Sequence, residues 1–464
     1  MFIMRAGLGL AGALFALGGL AATVNPFADH QAAVPPAAEY AGPLFKLSYK
    51  YPDAQRVPAM PWRAALGNGP ITRQNAAAYA QALKNAVGKD MRVLLTDYAR
   101  WNADKRGWYN DPWLGEQREP IHGMLLGVAS VDNALFPKSG LSKPFTTYVL
   151  TYYNSTAAQT IGRIWGKTAQ NPVVDAASTQ YAEGSVTVKL AFTTAGPGVW
   201  PAMDGALAWP LYIAENATTG QFDKPAVQHA YLMQLDIVVK DSQAAPQTGW
   251  VFTTLVYDRS VRAGAQGVWD QMVPLGAQWG NDPQVNSALA PAATLQETWV
   301  NPAAPLYATE TLGWGGRLSG PNDHGVNDIS FVDNGSRRLE RRARNSSCLS
   351  CHGASQWNVG QPASGMASFI MPLAAPANGG SARAGQPYLN SPVPGSGEWL
   401  RWFQNRQGNV PMDAGSVAGD YDLALSFRVL PAWYQAMTGQ AHALTSVDAR
   451  GKPVLRDKAG KVRE

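Results

Sequence analysis

Apolar side chains recur at every second position over much of the stretch from residue 144 to 258. In GSVTVKLAFTT they are Val186, Val188, Leu190 and Phe192; in YLMQLDIVVKD they are Met233, Leu235, Ile237 and Val239. A period of two puts alternate side chains on one face of an extended chain, so both stretches read as half-buried strands. PFTTYVLTYYN, QTIGRIWG and GWVFTTLVYDRS are read as three more, separated by Gly, Pro and Asp turns. This succession predicts an antiparallel sandwich or a strongly curved sheet.

Upstream the period is helical. Thr72 can cap RQNAAAYAQALKNAV, in which Tyr79, Leu83 and Val87 share one face and Gly88 is a natural terminator. MRVLLTDYARW continues as a second helix, and both are expected beside the sheet. Residues 29–60 are proline-rich and read as an extended linker. Before them, Arg5 precedes an uncharged run from Ala6 to Val24, so residues 1–28 read as a signal peptide or an N-terminal membrane anchor. Either puts the rest of the chain outside the cytoplasm, with the positive residue left inside. The remainder divides into a β-rich domain, 61–300, and a C-terminal domain, 301–464, with a basic tail.

Of 464 residues, 46% are hydrophobic and 15% charged, with 46 glycines and 33 prolines, so the chain is globular and loop-rich rather than disordered. A formal net charge of +5 is mild and does not suggest a nucleic-acid partner.

The chemistry gathers in RRARNSSCLSCHGASQW, which holds the only two cysteines, Cys348 and Cys351, with His352 next to them. Two thiols so spaced can add across the vinyl groups of one porphyrin while the adjoining imidazole binds its iron. A zinc site would need about four ligands and a second pair is absent; a thioredoxin-like redox pair has no need of the histidine. A disulfide here would close too short a loop to stabilise much. There is no GxSxG elbow and no phosphate loop.

CLSCHG, followed by a Met-Pro pair in SFIMPLAAP and by DYDLALSFRVLPAWYQAM, resembles the c-type cytochromes over the last 120 to 150 residues. The resemblance implies a mainly α-helical cytochrome c-like domain, and so an α+β fold overall, with a β-sandwich-like domain first. It implies one haem c held by thioethers at Cys348 and Cys351, with His352 as the proximal iron ligand. A methionine is the usual sixth ligand. Met371 stands in the Met-Pro pair, whereas Met412, in NVPMDAG, has the longer return loop from His352. His324, in GPNDHGVND, is a third candidate whose surroundings read first as a turn. Where small cytochromes c carry a Gly and an aromatic residue before the motif, this chain has Glu340 and Arg344. Arg337, Arg338, Arg341, Arg342 and Arg344 would fall on two turns of a helix there, able to pair with haem propionates or an acidic partner. The whole chain is also similar to a group of bacterial exported proteins in which an aromatic-rich β region precedes one haem, a group without an established activity.

Outside the motif, WYNDPW (Trp108 to Trp113) and WGNDP (Trp279 to Pro283) rhyme. They read as turns, with a ligand-stacking surface as the alternative. His122, flanked by Arg118 and Glu119, reads as a structural histidine before a catalytic one. The expected function is periplasmic electron transfer to or from an unidentified redox partner protein. The alternative is a haem-dependent oxidoreductase with a substrate cleft between the β domain and the haem.

Overall fold

One antiparallel sheet of nine strands organises the protein. Its path runs through β1 (Trp108–Tyr109), β3 (Thr147–Asn154), β4 (Val186–Thr193), β6 (Gln221–Lys240), β7 (Trp250–Tyr257), β8 (Met272–Gln278) and β9 (Thr298–Val300). Beside this path β2 (Leu125–Leu126) pairs with β3 and β5 (Ala208–Asn216) with β6. The computed structural model describes residues 25–30, 32–53, 58–67, 69–112, 118–128, 131–216, 221–285, 294–323, 326–333, 336–344, 346–360, 400–438, 455–456 and 462–463. The leader, His324 and Met371 lie outside the described residues. No helix among the described residues is long and apolar enough to cross a membrane.

The alternation read from the sequence sets the two faces of this sheet. Leu150, Leu190, Leu235 and Leu255 stand opposite one another across β3, β4, β6 and β7, and all are buried in the main core. One residue along each strand the same register gives Thr151, Lys189, Asp236 and Thr254, which face the other way into a pocket. Helix α1 (Ala76–Thr96) covers the leucine face, contributing Tyr79, Leu83, Val87, Met91 and Leu94 to that core.

α1 is one helix, although Gly88 was expected to end it. A Cβ at Gly88 would lie 2.9 Å from the Trp269 indole nitrogen, so this glycine admits a tryptophan against the helix instead of stopping it. QTIGRIWG, expected as a strand, belongs to the helix Ser155–Trp165. The side chain of Asn154 accepts from the Ala157 N–H and caps it, and Ile161, Ile164 and Trp165 are buried at helical spacing. The strands of the β region form one sheet rather than a two-sheet sandwich.

The largest correction is to the fold class. Residues 301–464 do not build a mainly α-helical cytochrome c-like domain, and the protein as a whole is mostly β-sheet. The described part of this region contains a hairpin of β10 (Val326–Asp333) and β11 (Ser336–Arg344), and a two-residue ladder of β12 (Gln356–Trp357) with β13 (Val417–Ala418). Its longest helical run is a π turn, Leu425–Val429, continued by Leu430–Thr438. Ser336–Arg344, with its five arginines, is thus a strand and not the helix expected before the motif. Asn334-Gly335 between the paired Asp333 and Ser336 is a strong hairpin signal, and it outweighs the helical reading of the arginine spacing.

Candidate functional site

Cys348, Cys351 and His352 share the short helix Cys348–His352. The Ser347 side chain caps it by accepting from the Ser350 N–H, a cap worth about 1 kcal/mol. The helix is moored to the sheet. The Cys348 N–H donates to Leu318 O (2.8 Å), the Leu349 N–H to Gln278 Oε1 on β8 (3.1 Å), and the Ser347 hydroxyl to Asn281 Oδ1 (3.2 Å). Leu349 is buried beside Trp250 and Phe252 of β7 in a second core, on the side of the sheet away from α1.

Both cysteines and His352 open onto one pocket whose free space, counted together with the open solvent at its mouth, is about 1750 Å³. The polar face of the sheet is its floor, through Thr187, Lys189, Asp236 and Phe252, and Tyr421 with Asp422 closes one side. The imidazole of His352 lies against the Phe252 ring, at 4.8 Å between centroids. Its Nδ1 is 2.8 Å from the backbone carbonyl of Tyr421. A carbonyl only accepts, so Nδ1 carries the proton and Nε2 keeps its lone pair. Burial pushes this imidazole down to about 4, so it is neutral at ordinary pH and able to bind a metal.

The thiols are neutral as well. Burial raises Cys348 well above its usual value and Cys351 up to about 12, and the surface each keeps faces the pocket. They are free thiols, not a disulfide; Lys189 nearby pulls both down, but burial and the carboxylate of Asp323 outweigh it. No group of three or more His, Cys, Asp or Glu that could hold a metal ion occurs among the described residues.

Charged groups on the pocket wall form two clusters. Lys189 Nζ lies 3.2 Å from Asp236 and 2.5 Å from Asp323, and Gln234 and Thr254 donate to the carboxylates. Burial disfavours the Lys189 charge, but the two carboxylates outweigh it and leave the amine above its usual value. The second cluster joins Asp111 and Asp422 through tyrosines. Tyr153 hydrogen-bonds both, and the Tyr181 hydroxyl donates to Asp422. Burial, then the neighbouring Asp422 charge, raises Asp111 well above the carboxylate range, and its Oδ1 is buried without a hydrogen-bond partner. An orphaned polar atom in a pocket wall of this size suits a bound group able to meet it.

The remaining candidates scatter. Met412 is buried but is not among the residues lining the pocket. His122 is stacked on Trp209 at 4.1 Å, with Nδ1 3.1 Å from Pro210 O, and burial holds it down to about 3. Glu119 accepts from the N–H groups of Ile121, His122 and Tyr212. These bonds hold the turn that carries His122; neither His122 nor Glu119 lines the pocket, although their neighbours Arg118 and Gly123 do. Trp108 and Trp279 are both in the main core and offer no stacking surface. The Asp282 carboxylate accepts from the Gln296 and Glu297 N–H groups, as a turn residue does. From the first of the rhyming stretches, Asp111 reaches the pocket.

Lys189, Asp236, Asp422 and the Tyr421 carbonyl escaped the sequence reading. For the first two a signal existed: a lysine and an aspartate interrupt otherwise apolar strands, and buried charge is the informative exception. Comparison with protein families, curated proteins and solved structures yields no match.

Proposed function

We propose that this is an exported protein carrying one haem c and transferring single electrons. Cys348 and Cys351 would hold the porphyrin by thioethers and His352 Nε2 would bind the iron, with Met371 or Met412 as the methionine partner. The observation that carries the reading is the His352 Nδ1 contact to Tyr421 O, in a pocket that both thiols share. A histidine that ligates metal typically donates its other ring N–H to a carbonyl or carboxylate, which fixes its tautomer and raises its basicity. Neutral thiols beside a large, largely apolar cavity fit thioether formation better than thiolate chemistry. The haem iron, when bound, supplies the one-electron couple; the chain contributes orientation, exclusion of water and charge. Phe252 and Tyr421 pack about the imidazole, and the Lys189 cluster supplies fixed charge beside the thiols. Covalent attachment and the leader both fit a place outside the cytoplasm, in the periplasm or anchored to the inner membrane. The partner is then a redox protein.

The test is extraction of the purified protein, made alongside a c-type haem attachment system, with acid and organic solvent. Colour should stay with the polypeptide. Colour passing into the solvent would end the proposal.

A haem-dependent oxidoreductase is the second reading. It is favoured by one feature: His352 is the only histidine, and no methionine occurs, among the described residues lining a pocket that also presents Asp111 and Asp422. Azide on the oxidised protein, or carbon monoxide on the reduced one, separates the two. A rapid spectral change supports the open site, and an unchanged spectrum supports electron transfer.

A further inference from the structure

The carbonyl that orients His352 belongs to a strained turn. Asp420 and Tyr421 both have left-handed backbones, with φ of 45° and 66°, and neither is glycine. Two such residues in succession persist only where the surroundings force them. Here the force is traceable to the sheet. The Asp420 carboxylate is fully buried and accepts from Lys240 Nζ at 2.6 and 2.9 Å, from the Trp250 indole N–H at 2.7 Å and from the Tyr181 N–H at 2.7 Å. Lys240 ends β6 and Trp250 begins β7, and the two are paired across the ladder. From the other side, a Cβ on Gly408 would collide with Asp420 Oδ1, and one on Gly419 with Ser355 Oγ, so both glycines let the turn be gripped closely. Ser355 in turn closes the loop on the motif. Its N–H donates to His352 O, its hydroxyl to Asp422 O, and its carbonyl accepts from the Gly419 N–H.

We infer that Lys240 and Asp420 are positioning residues for the iron ligand: through the Asp420–Tyr421 turn they hold the carbonyl that fixes the tautomer, direction and basicity of the His352 imidazole. This rests on the haem reading and extends it, because it gives the β region a part in the iron site as the frame of its proximal ligand. Lys240 is not among the residues lining the pocket, so its effect must travel through Asp420 and the turn. A slacker carbonyl contact makes the imidazole a weaker electron donor, which favours reduced iron.

The experiment compares holoprotein of the wild type with Lys240→Met, Lys240→Gln and Lys240→Arg. Arg106→Met serves as a control that breaks the ion pair with Asp90, away from the pocket. Haem content comes first. Then the exchange of the His352 Nδ1–H proton with deuterium is followed by NMR, and the reduction potential is titrated. Lys240→Met should keep its covalent haem, exchange that proton faster by up to about tenfold, the scale of one hydrogen bond, and show a raised potential. Lys240→Gln should do the same to a smaller extent, and Lys240→Arg should return both readings to wild type. If Lys240→Met and Lys240→Gln only lose thermal stability, as Arg106→Met does, with exchange and potential unmoved, the inference is overturned and the pair is structural. A wild type without covalent haem defeats the haem reading instead, and the proton exchange then decides the positioning role by itself.

Discussion

Two neighbouring rows of the sheet are built on the same four strands and share one register, yet they do opposite things. Leu150, Leu190, Leu235 and Leu255 form a row that α1 covers; Thr151, Lys189, Asp236 and Thr254, one residue away, line the pocket that holds the cysteines and His352. The first row contributes through area removed from water, roughly 1.5–3 kcal/mol for each fully buried leucine. The second row gains little by burial, since a charge inside must be paired merely to be tolerated. Lys189 is held between Asp236 and Asp323 for that reason. A strand that alternates between such faces can therefore be altered on one side with little effect on the other, and each prediction below presses on one side.

The largest effect should come from the pocket side. On the proposed haem reading, His352→Ala should leave iron without its proximal ligand, and Cys351→Ser should reduce the yield of covalently loaded protein severalfold or more. Far-UV circular dichroism of either variant should match the wild type, because neither side chain contributes to the leucine core. A variant that loses haem and sheet together would mean that the two faces are not separable.

On the other side, Leu235→Ala should cost about 2–5 kcal/mol, since a fully buried leucine between strand neighbours and α1 leaves a cavity that rigid strands cannot collapse. Denaturant titration measures this directly. The visible spectrum of the folded fraction should be unchanged.

How much of this was legible depends on which half of the alternation is read. The apolar half located β4 and β6 and, through Tyr79, Leu83 and Val87, the covering helix. The polar half holds Lys189 and Asp236, which interrupt the same strings and leave no mark in a pattern read from apolar positions alone. The spacing of CLSCH carries the proposed haem chemistry in the sequence itself. Its acceptor could not be read, because Tyr421 O is a backbone atom 69 residues away with no side-chain signature. The expected helical domain failed for a related reason. The short motif helix is moored by Gln278, Asn281 and Leu318 from the sheet side, and it does not need the helix packing of a free-standing cytochrome.

Gly88 tests the seam between α1 and its neighbours. Alanine is the better helix former by about 1 kcal/mol, but its Cβ would press on the Trp269 indole at 2.9 Å from a buried position. Overpacking of that kind costs about 1–3 kcal/mol, so Gly88→Ala should be net destabilising by a fraction of that. A gain in melting temperature would show that Trp269 yields, and that Gly88 is merely tolerated in the helix.

The smallest effect is a pH dependence that separates the pocket from the rest of the interior. Asp111 is raised from 3.8, by burial and then by Asp422, so it binds its proton more tightly folded than unfolded. Such a group contributes stability fully below its unfolded value, and that contribution is lost as pH rises through the folded value. Glu119, outside the pocket, is raised from 4.5 to about 7 by burial and acts in the same direction. His122, lowered from 6.5 to about 3, acts oppositely: its contribution is present above 6.5 and lost as pH falls. Stability should therefore peak in mildly acidic solution and decline toward neutral pH, a tenfold change in proton affinity being worth about 1.4 kcal/mol at most. Asp111→Asn should remove part of the decline on the alkaline side and leave the acid limb, which belongs to His122 and to His352, itself lowered to about 4. Glu119→Gln should likewise soften the alkaline limb, but without altering the pocket. Melting temperatures taken across the pH range on the two variants decide it: an unchanged alkaline limb in Asp111→Asn would mean that the paired carboxyls exchange their proton with solvent as freely in the fold as out of it.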